Sequence, residues 1–304
     1  MAYTGRFAPS PTGPLHFGSL IAAVASYCDA KANGGKWLVR MEDLDKPRKM
    51  PGAADDILKT LEAFGFTWDG SVLYQSRRAD AYELALESLK RQTVVYPCTC
   101  SRKEIADSAT SSGIEGAIYP GTCLKHTPKT NAHAAFRAMA LDDEITFNDA
   151  IQGKITQNLA HDIGDFVIKR ADGLFAYQLA VVVDDAAQGV THVVRGADLL
   201  DSTPRQIYLQ RLLGFPTPRY AHVPVAVNAV GEKLSKQTLA KAIIPEAAPM
   251  LVFEALIFLG QQPPAEIKNA TLSEVWRWAI TQWQLEKVPK NRTLPLPESM
   301  RAFL

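Results

Sequence analysis

The chain has 304 residues, 47% hydrophobic and 21% charged, which is the profile of a folded globular protein rather than a disordered one. Lys and Arg number 33 against 32 Asp and Glu, so no overall positive field marks a nucleic-acid partner, and any RNA contact must come from a local basic face. No apolar run approaches a membrane span, the N-terminus lacks a secretory pattern, and four cysteines are too few for a disulfide scaffold; the expectation is a protein of a reducing cytoplasm.

A short apolar-containing run over residues 4–8 breaks on Pro9-Ser10-Pro11-Thr12-Gly13-Pro14, which fits neither a helix nor a central strand. Residues 16–32 then place Leu20, Ile21, Val24, Ala25 and Cys28 on one helical face. Gly34-Gly35 ends that helix, and 36–41 reads as a buried strand. Strand, turn, helix and strand in 43 residues make a βαβ unit, the building block of a parallel sheet. Helices follow at 53–64 and 79–90. From Tyr96 to about Phe136 the composition turns to Ser, Thr, Gly and Pro with three of the cysteines, as in an inserted module. Strand-like runs return at 166–169 and 191–194, then a helix at 204–213, an apolar run at 223–227 and a basic loop at 231–237. The tail is helical and Trp-rich (Trp276, Trp278, Trp283), then basic and Pro-spaced.

Ligands of an open parallel sheet bind at the carboxyl ends of its strands, where helix N-termini offer free N–H groups to phosphates. His16 and Ser19 sit in the first helical turn there, and Gly18 leaves room for a nucleotide base. Lys233-Leu234-Ser235-Lys236 suits a loop closing on pyrophosphate. Either segment alone has an ordinary reading, as a capped turn or a solvated face; the pair is specific.

Together these segments resemble the two signature motifs of class I aminoacyl-tRNA synthetases. Arg6-Phe7-Ala8-Pro9-Ser10-Pro11-Thr12-Gly13, Val39-Arg40-Met41-Glu42-Asp43-Leu44-Asp45 and Thr191-His192-Val193-Val194-Arg195-Gly196-Ala197-Asp198 are similar to the glutamyl branch, a likeness running from residue 3 to about 240. Full-length glutamyl enzymes carry a large anticodon-binding domain for which too little chain follows Gln237. That, with Ala197 in place of their usual Glu and the His16-Phe17-Gly18-Ser19-Leu20 continuation, resembles the glutamyl-Q tRNA(Asp) synthetase family. The resemblance implies activation of L-glutamate with ATP and magnesium, and transfer to the queuosine base in the anticodon of tRNA(Asp).

Residue chemistry independently fits an acidic amino acid. Arg6, Glu42 and Arg195 fall at strand ends, supplying cations for a side-chain carboxylate and an anion for an α-ammonium. Tyr177 matches a pocket tyrosine of the family, and the resemblance adds Ala8 and Ser10 to the glutamate site. It places Pro9, Thr12, His16, Gly18, Ser19, Lys233, Ser235 and Lys236 around ATP, with His16, Ser19, Lys233 and Lys236 catalytic. Cys98, Cys100 and Cys123 suggest a structural zinc. On the residues alone His126 is the preferred fourth ligand, because imidazole is the commoner donor; the resemblance instead implies Tyr119.

The expected fold is α/β: a Rossmann-like class I synthetase catalytic domain with a zinc-bearing insertion and a short helical C-terminal subdomain. Its parts span 1–95, 96–165, 166–240 and 241–304. A monomer is expected, with RNA met by a basic face such as Lys287, Lys290, Arg292 and Arg301. The rivals are a truncated glutamyl-tRNA synthetase charging a tRNA 3′ end, a small-molecule nucleotidylyltransferase, and an inactive RNA-binding module.

Overall fold

The computed structural model describes residues 2–126, 133–228, 230–234, 241–297 and 300. Its first unit is β1 (Thr4–Phe7), α1 (Phe17–Ala32) and β2 (Lys36–Met41), with β1 and β2 parallel. Eleven of the 16 residues of α1 are buried, because strands cover one side and C-terminal helices the other. The helix is apolar nearly all round rather than along one stripe, as a buried helix should be. α2 (Ala53–Ala63) leads to β3 (Leu73–Tyr74), which pairs parallel with β2, and α3 (Ala79–Arg91) follows.

The middle of the chain is richer in strands than its composition suggests. β4 (Val95–Cys98) is followed by α4 (Arg102–Ser108), a hairpin of β5 (Ser112–Gly113) and β6 (Gly116–Ala117), and α5 (Thr122–Lys125). Next come β7 (Ala135–Ala138), β8 (Glu144–Asp149), β9 (Gly153–Asn158), α6 (Leu159–Asp162) and β10 (Phe166–Lys169). β4, β7 and β10 form one antiparallel sheet in the order β10-β7-β4.

α7 (Tyr177–Ala187), β11 (His192–Gly196), α8 (Thr203–Leu213), β12 (Arg219–Val223) and β13 (Val225–Val227) follow, and β11 and β12 join β8 and β9 in a sheet of order β11-β12-β8-β9. β11 pairs parallel with β12, and β12 with β8, so the middle segment is stitched to the nucleotide-binding half by sheet as well as by chain. β1 meets this half at Thr191, whose N–H donates to the Thr4 carbonyl at 2.9 Å while its Oγ1 accepts from the Thr4 N–H at 2.9 Å. Pro224 splits the apolar run at 223–227 into β12 and β13, since proline has no N–H for a ladder.

The tail holds α9 (Ala248–Phe258), α10 (Leu272–Gln282) and β14 (Thr293–Pro295), the last pairing parallel with β13. One core joins β1, α1, β2, α9 and α10; a second lies among α3, α7, α8 and β11. Trp276 donates its indole N–H to the Phe64 carbonyl at 2.8 Å and Trp283 donates to Asp29 at 3.0 Å, fixing the tail against the first unit. Cys28 is fully buried in the first core.

Candidate active site

A cavity of about 1050 Å³ opens at the carboxyl ends of β1, β2 and β11. Arg6, Ala8, Pro9, Ser10, Thr12, His16, Gly18, Ser19, Glu42, Tyr177, Arg195 and Lys233 all line it. Ser235 and Lys236 lie outside the described residues.

One end of it is a buried charge network. Arg6 donates Nε to Asp185 at 3.2 Å, and Arg40 donates Nη1 to the same oxygen at 2.7 Å and Nη2 to Glu42 at 3.3 Å. Burial opposes ionisation of Asp185, but the Arg40 and Arg6 guanidiniums hold its carboxyl below the usual range. Burial pushes the Glu42 carboxyl up despite Arg40 and Arg6, so its ionised form gains from a further cation in the cavity.

Arg195 is 5% exposed and has no carboxylate partner among the described residues. It is held by neutral acceptors: Nε donates to His222 Nε2 at 3.0 Å, Nη1 to Tyr177 Oη at 3.2 Å, and Nη2 to Thr203 Oγ1 at 2.9 Å and Gln206 Oε1 at 2.8 Å. His222 can accept only on a bare Nε2, so its proton sits on Nδ1 and is donated to Asp149 Oδ2 at 2.6 Å. Burial and Arg195 push the His222 imidazole down to about 4 although Asp149 opposes them, which keeps the ring neutral. Burial also raises the Tyr177 hydroxyl, so its proton stays on. A desolvated cation without an anion beside a phenol proton is a receptor for a carboxylate.

Arg40, Asp149, Asp185, Thr203, Gln206 and His222 were not singled out by sequence. The available signal was a polar residue inside or beside an apolar run, as at His222 in Tyr220-Ala221-His222-Val223, or Asp185, which with Asp184 follows the apolar stretch 179–183 of α7.

The other end is built on the start of α1. His16 is the N-cap, its Nδ1 accepting from the Ser19 N–H at 3.4 Å. Ser19 Oγ accepts from the His16 N–H at 2.8 Å and donates to the His16 carbonyl at 2.7 Å. The hydroxyl expected to serve ATP is thus engaged in the cap, while the opening turn of α1 lines the cavity. A Cβ on Gly18 would stand 3.1 Å from the His16 ring, a tight approach, so glycine leaves room for the capping imidazole; the Leu234 carbonyl, at 3.4 Å, would be in ordinary contact. Lys233, half-exposed, pairs with Asp198.

The three cysteines lie apart from this cavity, with their sulfurs within 4.8 Å of one another. Tyr119 Oη is 3.4 Å from Cys98 Sγ and 3.5 Å from Cys100 Sγ, and accepts from the Cys123 N–H at 2.8 Å. Although burial opposes it, hydrogen bonds from Tyr119 and the Thr99 backbone bring the Cys123 thiol down to about 6. Three sulfurs and a phenol oxygen converging on one point can hold zinc. His126 is exposed and is not part of this cluster. In the tail, Lys287, Lys290 and Arg292 are exposed, with Arg292 paired to Asp201 at 3.0 Å; Arg301 lies outside the described residues.

A helix N-terminus, a buried arginine cluster and Lys233 around one cleft at the carboxyl ends of parallel strands are the arrangement expected of a synthetase-type catalytic domain. Residues 3–289 match the tRNA synthetases class I (E and Q), catalytic domain, and the chain belongs to that family. Within it, the chain is 58% identical to the glutamyl-Q tRNA(Asp) synthetase of Dechloromonas aromatica (strain RCB), over 97% of this chain and 98% of the relative. It is 56% identical to that of Thiobacillus denitrificans (strain ATCC 25259 / T1), again over 97% and 98%. The fold is similar to that of a glutamate-tRNA synthetase from Elizabethkingia anophelis, with a TM-score of 0.78 and 25% identity, covering 98% of this chain and 69% of that one.

Proposed function

We propose that this chain activates L-glutamate with ATP and transfers the glutamyl group to the queuosine base of tRNA(Asp). The observation that carries the amino-acid assignment is Arg195, a buried guanidinium with only neutral partners, set beside the Tyr177 proton. A glutamate side-chain carboxylate completes it, with Arg6 adding positive potential, while Glu42 receives the α-ammonium. Glutamine would leave the guanidinium without its anion, and this is the basis of discrimination. The choice of RNA rests on the names of the relatives.

One oxygen of the α-carboxylate attacks the α-phosphorus of ATP. The bond to the bridging oxygen breaks and pyrophosphate leaves, giving glutamyl-adenylate. His16, the N–H groups opening α1, and the Lys233 and Lys236 ammoniums stabilise the departing charge; no covalent enzyme intermediate is needed. An oxygen or nitrogen of the base then attacks the acyl carbon and AMP leaves. Magnesium enters with ATP. Zinc held by Cys98, Cys100, Tyr119 and Cys123 would brace the segment between β4 and α5 and take no part in the chemistry. We place the enzyme in the cytoplasm as a monomer.

The test is transfer of labelled glutamate to tRNA(Asp) lacking its 3′-terminal adenosine. Alkali-labile labelling is expected with queuosine and none with guanosine at that position. Labelling only of intact tRNA(Glu) would make the protein a 3′-end-charging enzyme instead.

A further inference from the structure

Beside the glutamate site, on the other side of the start of α7, lies a second cavity of about 520 Å³. Tyr177 lines the first cavity and its neighbour Gln178 the second. Three arginines reach the second from three elements: Arg102 at the start of α4, Arg137 on β7 and Arg205 on α8.

Their pairing is unusual. Arg205 is 4% exposed, yet its carboxylate partner comes from a small exposed hairpin. Glu115, in the turn between β5 and β6, takes Nη1 at 2.7 Å and Nη2 through its other oxygen, a fork-to-fork pair. Its own side chain is 55% exposed, and Arg205 Nε is buried without a partner. Arg137 has no carboxylate partner among the described residues: it donates Nη1 to the Asp165 carbonyl at 2.8 Å, lies over the Tyr119 ring, and leaves Nε buried and unpartnered. Arg102 is exposed, also without a carboxylate partner among the described residues. The other acid of the cavity, Asp165, is committed to the Tyr96 hydroxyl and the Ala140 N–H.

A guanidinium gripped on both Nη atoms by two oxygens is in the geometry that binds a phosphate. The resident anion sits on an exposed two-residue turn, and two more cations flank it. We propose that this cavity is a subsite for a backbone phosphate of the RNA substrate, and that Glu115 occupies it until the RNA displaces that carboxylate. The proposal rests on the RNA-acylating reading above and adds where the RNA is gripped.

The experiment measures the Kd of the full chain for queuosine-containing tRNA(Asp) across a salt series, with glutamate-dependent ATP–pyrophosphate exchange in parallel. Glu115→Gln removes the competing charge and should tighten RNA binding about 3-fold or more, with exchange unchanged. Arg102→Ala, at an exposed position, should weaken binding about 3- to 10-fold and make the salt dependence shallower by about one phosphate contact. A purely structural Glu115–Arg205 brace predicts the opposite sign or no change for Glu115→Gln, and unchanged Kd and salt slope in both variants overturn the subsite. If Glu115→Gln changes inhibition of exchange by inorganic phosphate but not RNA binding, the cavity serves a free phosphate and the proposal also fails. Wild-type protein that binds tRNA(Asp) without glutamylating it would refute the functional reading while leaving the subsite to stand on these Kd values.

Discussion

At the proposed amino-acid end of the cleft the charged groups are buried and held by several partners from other elements: Arg6 by Asp185, Arg195 by His222 and Gln206. At the proposed phosphate end they are less buried, His16 capping its own helix with Ser19 within one turn and Lys233 pairing at the surface with Asp198. The first arrangement is preorganised for one ligand and tolerates little change. The second presents donors that can follow charge as it moves from substrate to pyrophosphate. On the proposed reading, recognition and chemistry would be carried by parts of different burial.

The sharpest break of this contrast is at the phosphate end. Lys233→Ala should lower glutamate-dependent ATP–pyrophosphate exchange by about 10²–10³ through kcat, the usual cost of one transition-state donor. Its melting temperature should barely move, because the pair it loses is on the surface. Near wild-type exchange would take Lys233 out of the reaction.

Arg195→Ala should act the other way, raising the glutamate KM about 10- to 100-fold and narrowing the preference over glutamine, in line with ~1.5–3 kcal/mol for a charge-assisted pair. Unchanged glutamate kinetics would shift the side-chain site to Arg6.

His222→Gln probes the support behind Arg195. In the folded chain His222 stays neutral down to about pH 4, whereas an unfolded histidine takes up its proton near pH ~6.5. Below that upper value the unfolded chain binds more protons, so His222 makes the wild type lose stability as pH falls from about 6.5 to about 4, with none of this loss above 6.5. The variant should melt with a flatter pH dependence in that window, and its glutamate KM should rise several-fold with kcat retained. A parallel pH profile would mean that His222 does not hold its neutral state as its surroundings require.

The smallest effect is expected at Ser19. Its hydroxyl both accepts and donates within the cap, so Ser19→Ala should cost about 1 kcal/mol of stability and leave exchange within a few-fold of wild type. A loss on the scale of Lys233→Ala would mean that the hydroxyl leaves the cap to serve ATP.

The same division explains what could be read from the sequence. The opening strand, turn, helix and strand are local patterns, and His16 announces its position through the prolines before it and the apolar helix after it. Arg6, Glu42 and Arg195 could be picked out because a charge at the end of a buried strand needs a purpose. Asp185 and His222 could not be paired with them by inspection, since the first lies 179 residues from Arg6 and the second 27 from Arg195. The strands β7, β8 and β9 were missed as well, because their alternation is short and broken by polar residues such as Asn148 and Asp149. The parallel pairing of β13 with β14 was hidden by Pro295, tolerated at the end of a two-stranded edge.

The bond between β1 and Thr191 also sets an order of events during folding. The unit of β1, α1 and β2 closes over some 40 residues and can form early, but Arg6 on its first strand finds Asp185 only after most of the chain is available. Contacts so far apart in sequence pay their loop-closure entropy late. The selective pocket is thus among the last features to be completed. Until then Arg6 and Arg40, both destined for the interior, lack their common counter-ion, so slow refolding should show itself first as absent glutamate binding rather than absent helix.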